Sequence, residues 1–540
     1  MTSTTPRLAT RREWLGLGVL ALACLLYVMD LTVLHLAVPA ISADLRPTSA
    51  QLLWIIDIYG FMVAGFLVTM GTLGDRIGRR RLLLVGAAAF GATSVLAAFS
   101  TSAEMLILSR ALLGIAGATI APSTLSLIFA MFEDPRQRGI AIGIWISAFS
   151  AGSAIGPVLG GVLLEQLWWG SVFLLALPVM AALLVLGPRV LPEYRDPNAG
   201  RLDLLSAGMS LVAVLGVIFA VKQVAQDGFS LAALAALAIG LSVGGAWVRR
   251  QLASSDPMID LRLVRIPQLR ASLLVNFLGI LVAIGYFLFV AQYLQLVVGL
   301  SPLEAGAWSV PSAIAFVVGS NLAPRLVRRI RPAVVMASGL GLAAIGLVLL
   351  AQVTASGSLA VVIGAFVVIS LGLSPVFGLT TELIVGAAPP ERAGAASGAS
   401  ETFFELGGAL GISILGSIGA TIYRGQIADT LPSGLSASVG VAARDTLGAA
   451  TAVAQQLPGD LGTALITAAR AAFVDGMQVA AAVSAVLAVG LAVVVLRTLG
   501  HLAPRSEQPT DEASSAEPRL ADSESAPVMS PALCGPAAEA

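Results

Sequence analysis

Five acidic residues inside or at the end of long apolar stretches are candidates for function, because an ionisable side chain is unexpected there; one of them, Glu382 at the end of the stretch 359–384, is equally well explained as an interfacial charge. Asp30 and Asp57 occur in the segments MDLTVLHLAVPAI and WIIDIYGFMVAG, and Glu401 and Glu405 occur in ASETFFELGGALG. The i, i+4 spacing of the two glutamates places both carboxyl groups on one face of a helix. Carboxyl groups in a low-dielectric cavity hold protons more firmly, and a cation can displace those protons. The pattern therefore indicates exchange of protons for cationic solutes, without covalent chemistry.

A basic residue is also found inside an apolar stretch. Arg110, in LILSRALLGIAG, would cost at least ~2.5–3.5 kcal/mol within a membrane if it were unpaired, so we expect it to face a cavity or a carboxylate. There it would adjust the proton affinity of nearby acids. Aromatic rings on these helices either bind a cation through their faces or pack against neighbours and lipid. The candidates are Tyr59, Trp145, Phe149, Phe403 and Phe404.

Other kinds of chemistry find no support in the sequence. No Gly-rich phosphate loop followed by Lys is present, so we expect no nucleotide partner and a proton gradient as the energy source. The two histidines, His35 and His501, are too few for a metal site, and Cys24 and Cys534 form no metal-ligand cluster. No Ser/His/Asp arrangement is evident. We therefore expect no enzyme, no cofactor and no nucleic-acid partner.

The composition places these residues in a membrane. Apolar residues make up 57% of the 540 residues and charged residues only 11%, against about 25% in globular proteins. The mean hydropathy is +0.91. Apolar stretches of about 20 residues, long enough to cross a bilayer, predict an all-α membrane protein with fourteen spans. They are 14–38, 52–70, 81–99, 105–128, 138–162, 171–188, 204–221, 231–248, 272–297, 305–324, 333–352, 359–384, 395–420 and 472–497.

The distribution of positive charges orients these spans. An even number of spans puts both termini on one side of the membrane. If that side is the cytoplasm, most basic residues fall on cytoplasmic segments, as the positive-inside rule requires. The exceptions are Arg46, Lys222, Arg424, Arg444 and Arg470 on the outside and Arg110 within a span.

A repeated basic loop predicts that the chain is built from two halves. The segment GTLGDRIGRRR, Gly71–Arg81, follows the second span, and SNLAPRLVRRI, Ser320–Ile330, follows the tenth. Aligned at a fixed offset, Arg76 matches Arg325, and Arg79 and Arg80 match two further arginines. The two loops occupy equivalent places in two six-span halves if spans seven and eight are an insertion. Coincidence between two basic loops is the alternative.

We expect the following organisation along the chain. Residues 1–13 form a cytoplasmic segment, 14–188 the first six-helix half, 189–271 a linker with two inserted helices, 272–502 the second half, and 503–540 a disordered cytoplasmic tail. The second half contains a polar external loop, 421–471, in which residues around 438–456 could form short helices.

The first basic loop resembles the signature loop of the major facilitator superfamily. The matching residues are Gly71, Asp75, Arg76, Gly78, Arg79 and Arg80. The resemblance implies that Asp75 and the arginines fasten the ends of neighbouring helices in one conformation. Topogenic arginines alone are the alternative, but they would not require Asp75 or the spaced glycines.

Two further segments resemble antiporters of that superfamily. The arginine of LILSRALLGIAG and its following glycine match a fourth-span motif, and GSAIGPVLGG matches a fifth-span motif that favours export. The residues of the second motif are Gly152, Gly156, Pro157, Gly160 and Gly161. Glycines allow close helix packing and a proline bends a helix. Small-residue packing alone is the alternative, but the cluster of Pro157 with the glycines is more specific than packing requires.

The segments around Asp30 and Asp57 are similar to those of the fourteen-span drug:proton antiporter branch. The resemblance covers residues 12–498 and implies a monomeric transporter in the bacterial inner membrane that exports lipophilic, cationic drugs such as quaternary ammonium compounds. It also implies that Glu405 and Asp30 line one cavity between the halves. The chain departs from the pattern because span 305–324 has no acid near its middle, as some dication exporters have. A dedicated exporter of one endogenous antibiotic and a nutrient importer remain alternatives.

Overall fold

The structure is a computed structural model that describes residues 8–195, 203–254, 257, 261, 265–355, 359–387, 393–432 and 435–504. Every regular element in these ranges is helical. The first group comprises α1 (Arg11–Leu45), α2 (Ser49–Ile77), α3 (Arg79–Ala98), α4 (Ala103–Gly117), α5 (Ile120–Met131), α6 (Pro135–Gln166), α7 (Ser171–Leu174) and α8 (Ala176–Val190). The pair α9 (Leu204–Asp227) and α10 (Leu231–Ala253) follows. The last group comprises α11 (Pro267–Gln292), α12 (Pro302–Leu326), α13 (Pro332–Leu350), α14 (Leu359–Ala387), α15 (Ala393–Thr430), α16 (Ala437–Asp445), α17 (Leu447–Ala454) and α18 (Gly459–Leu499).

All fourteen predicted spans fall on helices. Thirteen helical stretches of the described chain are long and apolar enough to cross a membrane, and α6 contains a shorter apolar stretch, Ile155–Gln166. A π-helical turn, Tyr293–Val297, extends α11. The fold class predicted from the sequence is therefore confirmed: two six-helix halves with two additional helices.

Each half has its own apolar core. One buried cluster extends from Leu17 to Leu191, and a second extends from Ala271 to Leu499. The cores also touch, because Leu36 of α1 belongs to the second cluster and Leu288 and Ile412 belong to the first. In a bilayer this packing depends on close van der Waals contact rather than on the hydrophobic effect.

The two inserted helices lie at the edge of the bundle. They pack on each other, and α9 also contacts α2 and α15. Phe61 of α2, Ile218 of α9 and Leu410 of α15 meet in one small apolar cluster. Of the residues of α10, Ala233, Gly240 and Gln251 are buried. The hairpin thus covers one seam between the halves and turns most of α10 toward lipid.

The largest departures from the predicted boundaries occur in two segments, 105–128 and 421–471. The predicted span 105–128 is divided into α4 and α5, because Pro122 has no N–H with which to bond the carbonyl of Ala118. The predicted loop 421–471 is largely helical, since α15 continues to Thr430 and α18 begins at Gly459, with α16 and α17 between them. Hydropathy marks only the apolar part of a helix, so it missed these polar extensions. Most of the predicted tail, 505–540, lies outside the described residues.

Candidate functional site

Glu405 lies at the contact between the two halves. Its side chain is 6% exposed, and the hydroxyl of Tyr27 on α1 donates a hydrogen bond of 2.5 Å to Glu405 Oε1. Glu401 lies one turn earlier on α15 and is partly exposed. The carboxyl predicted to exchange a proton is therefore buried in the middle of the bundle, with a second carboxyl beside it.

Asp57 makes a second polar contact between the halves. It is 1% exposed, and the hydroxyl of Ser413 on α15 donates to its Oδ2 at 2.7 Å. Glu405 and Ser413 are eight residues apart, a little over two turns of α15, so they lie on nearly the same face. One face of α15 therefore makes polar contacts with α1 at Tyr27 and with α2 at Asp57.

Asp30 and Arg110 form a buried ion pair within the first half. Arg110 Nη1 lies 2.5 Å from Asp30 Oδ2, with the arginine side chain 0% exposed and the aspartate 9%. Arg110 Nε also donates to the carbonyl of Ile55 on α2 at 3.2 Å. The guanidinium carbon lies 4.8 Å from the centre of the Tyr59 ring, a cation–π distance. Pairing offsets part of the cost of burying the charge.

Asp30 and Glu405 have different polar partners, and their lining of one cavity stays a prediction. Asp30 lines a small cavity with Phe90 and Phe173, inside the first half. Glu405 instead meets α1 at Tyr27, three residues before Asp30. Residues three apart on a helix are neighbours on its surface, so Tyr27 and Asp30 lie close together on α1 and bond to different partners.

The predicted aromatic residues fall into separate environments. Tyr59 is fully buried against Arg110, and Trp145 Nε1 donates to Thr124 Oγ1 at 3.1 Å. Phe403 and Phe404 are partly exposed beside the glutamates and pack against Phe277 and Phe377, at ring-centre distances of 6.3 and 5.9 Å. The side chain of Phe149 lies outside the described residues. Phe403 and Phe404 are the rings nearest in sequence to the glutamate pair.

The basic loop between α2 and α3 forms a compact ionic corner. Arg79 bonds to Asp75 Oδ1 through Nε at 2.7 Å and through Nη2 at 2.6 Å. Gly78 has φ +111°, a conformation that a residue with Cβ rarely adopts. Gly71 lies on α2 near Pro122, and Arg76 is exposed.

An acid that the sequence did not single out completes this corner. Glu193, after α8, lies 3.5 Å from Arg80 Nε and 3.8 Å from Arg81 Nε. It also accepts the backbone N–H of Arg80 at 3.2 Å, and Arg80 Nη1 donates to Leu191 O at 3.0 Å. The loop thereby fastens the ends of α2, α3 and α8.

The glycines of α6 allow unusually close packing on both of its sides. A Cβ at Gly152 would lie 2.5 Å from Leu25 O, and one at Gly160 would lie 2.5 Å from Val33 Cγ1, both on α1. Gly156 faces Thr32 of the same helix. On the other side, a Cβ at Gly161 would lie 2.6 Å from Leu303 Cα of α12. Next to it, Gly306 of α12 abuts the carbonyl of Pro157.

Sequence reasoning missed Tyr27, Ser413 and Glu193. Tyr27 lies in the same helix as Asp30, and Ser413 lies two turns beyond Glu405. Their closeness in sequence to an acid inside a span was the feature that could have identified them. Glu193 is an acid in a segment between two apolar stretches. Only the tertiary contacts distinguish these residues from ordinary helix and loop residues.

We call the side of the bundle opposite the N-terminus the opposite side. The contacts between the halves described above lie from the middle of the bundle toward that side. Two further contacts between the halves lie on the opposite side: Gln295 Nε2 donates to Leu36 O at 3.1 Å, and Ser49 Oγ donates to the carbonyl of Asp445 in α16. Arg11 and Met131 lie at helix ends on the other side, which we call the N-terminal side. The short helices α16 and α17 therefore cover the opposite side.

Three curated proteins similar in sequence to this chain are named for drug efflux or resistance. The multidrug efflux pump LfrA of Mycolicibacterium smegmatis is 44% identical over 92% of this chain and 97% of its own. The methyl viologen resistance protein SmvA of Salmonella typhimurium is 37% identical over 87% of this chain and 94% of its own. The tetracenomycin C resistance and export protein of Streptomyces glaucescens is 32% identical over 90% and 92%.

The fold has solved counterparts as well. A bacterial homologue of the human lysosomal transporter Spinster superposes with a TM-score of 0.65 at 19% identity, covering 91% of this chain and 98% of that one. The family model described as the Major Facilitator Superfamily matches residues 20–412. Together with the many membrane-spanning helices, these matches identify a multi-pass transporter of the bacterial inner membrane rather than an enzyme. By its helices, its two-half architecture and its relatives, the chain belongs to the Major Facilitator Superfamily.

Proposed function

We propose that this protein exports lipophilic cations from the cytoplasm in exchange for protons. The observation that carries the proposal is the burial of Glu405 at the contact between the halves, with Glu401 one turn away. Two relatives have names that point the same way, a multidrug efflux pump and a protein of resistance to methyl viologen, which is a cation. No described group of three or more His, Cys, Asp or Glu side chains could hold a metal.

The exchange would rest on competition for the same carboxyl groups. A cation and a proton cannot both neutralise Glu405, so binding of one expels the other. Glu401 is partly exposed and would meet the cation first, with Phe403 and Phe404 beside it to bind the apolar part of the drug. Because the two carboxyl groups interact, they would titrate as a pair rather than as independent sites.

Alternating access would supply the export step. With both termini in the cytoplasm, as the positive charges predict, the opposite side is the outer side of the membrane. The named contacts between halves then lie on the outer side, which fits a carrier ready to receive drug from the cytoplasm. The close contact of α6 with α12 at Gly161 and Gly306 gives a compact surface about which the halves could rock.

Drug-induced proton release tests the proposal. Purified protein in weakly buffered detergent, mixed with tetraphenylphosphonium, should release protons, and Glu405→Gln should release none while reaching the membrane in normal amount. In inverted vesicles, an uncoupler should stop uptake of the cation, whereas ATP depletion with the gradient clamped should not. Uptake that requires ATP and ignores pH would contradict proton coupling. If Glu405→Gln still releases a proton, Glu401 or Asp30 becomes the exchanging acid.

A dedicated exporter of one endogenous product is the second candidate. The relative named for tetracenomycin C resistance and export favours it, at 32% identity. An efflux profile in a pump-deficient host separates the two candidates, because a multidrug exporter should confer resistance to several unrelated cations. Resistance to a single compound would support the dedicated exporter. Net uptake into intact cells would instead indicate an importer.

A further inference from the structure

We infer that Tyr27 is a positioning residue that locks the empty carrier, because its hydrogen bond to Glu405 joins the two halves only while that carboxylate carries neither proton nor drug. The inference rests on the proposed proton exchange and adds a residue that prevents futile movement. An antiporter must not reorient when it is empty, since an empty return step would let protons cross without drug. A contact that senses the occupancy of the exchanging acid meets this requirement.

The geometry of the contact suits such a lock. Tyr27 is 2% exposed and Glu405 is 6% exposed, so water competes little for either group. The O–H···O distance of 2.5 Å falls in the short range of bonds to a charged carboxylate. Such bonds are about twice as strong as neutral ones. The hydrogen bond therefore weakens when a proton or a cation neutralises Glu405, and the halves become free to separate there.

The surroundings of Glu405 leave Tyr27 as its principal donor. The titratable and charged groups near it are Glu401 on its own helix, Tyr27 on α1 and Tyr59 on α2; the Asp30–Arg110 pair lies behind Tyr59, and Asp57 lies further along α2 against Ser413. Among the described residues, no basic side chain of α9, α11, α14 or α18 forms an ion pair with Glu405. Within the described ranges, the contact thus joins a carboxylate and a phenol with no basic side chain paired to that carboxylate.

Tyr59 offers the Tyr27 hydroxyl a second partner. The two rings lie 6.1 Å apart, and the hydroxyl of Tyr59 is buried with no hydrogen-bond partner in the described part of the chain. A buried hydroxyl without a partner is uncommon and calls for an explanation. Gly117 leaves room for it, since a Cβ there would lie 2.8 Å from that oxygen. When α15 withdraws, Tyr27 can turn to Tyr59 rather than lose its hydrogen bond.

A drug-independent proton leak is the signature of a broken lock. The protein is reconstituted in liposomes containing a pH-sensitive dye, with the membrane potential clamped by potassium and valinomycin, and a pH gradient is imposed without drug. Wild type should hold the gradient. Tyr27→Phe keeps the ring but loses the donor, so its leak should rise about tenfold or more, the effect of losing one bond to a charged group. Tyr27→His restores a donor and should reduce the leak.

Matched variants separate the lock from general weakening of the interface. Gln295→Leu removes another hydrogen bond between the halves, to Leu36 O, with no titratable group involved, and should leave the leak at the wild-type level. Tyr59→Phe removes the second partner and should slow efflux of tetraphenylphosphonium without a leak. Should Tyr27→Phe not be recovered from membranes, Tyr27→Met gives the same readout.

The outcomes distinguish the inference from the function on which it rests. Proton release by wild type upon addition of tetraphenylphosphonium, together with a wild-type leak in Tyr27→Phe, would overturn the lock and leave antiport intact. Equal leaks in Tyr27→Phe and Gln295→Leu would also overturn it. If wild type releases no proton when the cation binds, the proposed exchange itself fails. A leak confined to the variants without a donor at position 27 supports the lock.

Discussion

Asp30 and Arg110 are joined by a 2.5 Å ion pair that lies inside the first half rather than between the halves. Because Arg110 also bonds to the carbonyl of Ile55, the pair connects α1, α2 and α4. Arg110 Nη2 has no hydrogen-bond partner in the described part of the chain. The charge of Arg110 is therefore balanced by one carboxylate. Loss of the Asp30 carboxylate would remove a contact from a cluster that joins three helices.

Removing one member of this pair should harm the fold more than removing both. Arg110→Leu leaves a buried carboxylate without its partner and should cost about 3–5 kcal/mol of stability, seen as a lower Tm in detergent. Asp30→Leu combined with Arg110→Leu should recover most of that loss. Arg76→Leu, at an exposed arginine, is the control. If the pair takes part in coupling, the double variant stays inactive though folded; native efflux by the double variant would show a structural role alone.

The ionic corner between α2, α3 and α8 should control the rate of reorientation. Asp75→Asn and Arg79→Ala should lower turnover much more than drug affinity, because the corner lies at the helix ends and away from Glu405. Glu193→Gln should act in the same way, since Glu193 contacts Arg80 and Arg81. The checks are efflux rates and equilibrium binding of tetraphenylphosphonium. Arg249→Ala on α10, an exposed arginine outside the corner, is the control. A large loss of binding at normal rate would contradict this assignment.

Close contact between α6 and α12 should be sensitive to a single methyl group. In Gly306→Ala the new Cβ would collide with the carbonyl of Pro157, a backbone atom that cannot easily move. Overpacking of this kind costs about 1–3 kcal/mol, so efflux and Tm should both fall. Gly490→Ala on α18 is the matched control, because a Cβ there meets nothing within 4 Å. Equal behaviour of the two variants would mean that the contact is not required.

The stability of the inserted hairpin at the start of α9 should decrease at acid pH. Burial raises the pKa of the Asp203 carboxyl, but hydrogen bonds from Arg250 and Ser206 outweigh burial and bring the pKa to about 2. Since the pKa of Asp203 in the folded protein lies below the ordinary aspartate value of 3.8, this stabilisation is complete above that pH and is lost as the pH falls toward 2. Asp203 also caps α9 through the N–H of Ser206 at 3.0 Å.

Asp203→Ala measures that contribution. The variant should lose about 1 kcal/mol of stability near neutral pH, the usual value of a helix cap. Its Tm should fall less steeply than that of wild type between pH 4 and pH 2. Ser230→Ala, which removes the cap of α10, is the comparison without a titratable group. Parallel pH profiles of Asp203→Ala and wild type would contradict a role for this carboxylate.

Several features of the candidate site could be read from the sequence because they depend on residue type within an apolar stretch. A charged side chain such as Glu405 or Arg110 inside a span is costly, so its presence alone indicates a partner or a cavity. The glycines of α6 likewise indicate close helix packing before any contact is known. The identity of each partner could not be read, because Tyr27 and Glu405 are separated by hundreds of residues.

The sequence by itself determined that the chain crosses the membrane many times. The bilayer requires each span to be apolar and long enough, and both properties can be read from one segment alone. The sequence also determined the helical class, because an isolated apolar segment must satisfy its own backbone in lipid. Only the tertiary structure decided that Asp30 pairs with Arg110, that Glu193 completes the basic corner, and that α9 covers the seam between α2 and α15. These outcomes depend on the rotation of each helix about its axis. That rotation is set by side-chain packing between helices distant in sequence, on which the hydropathy of a single segment carries little information.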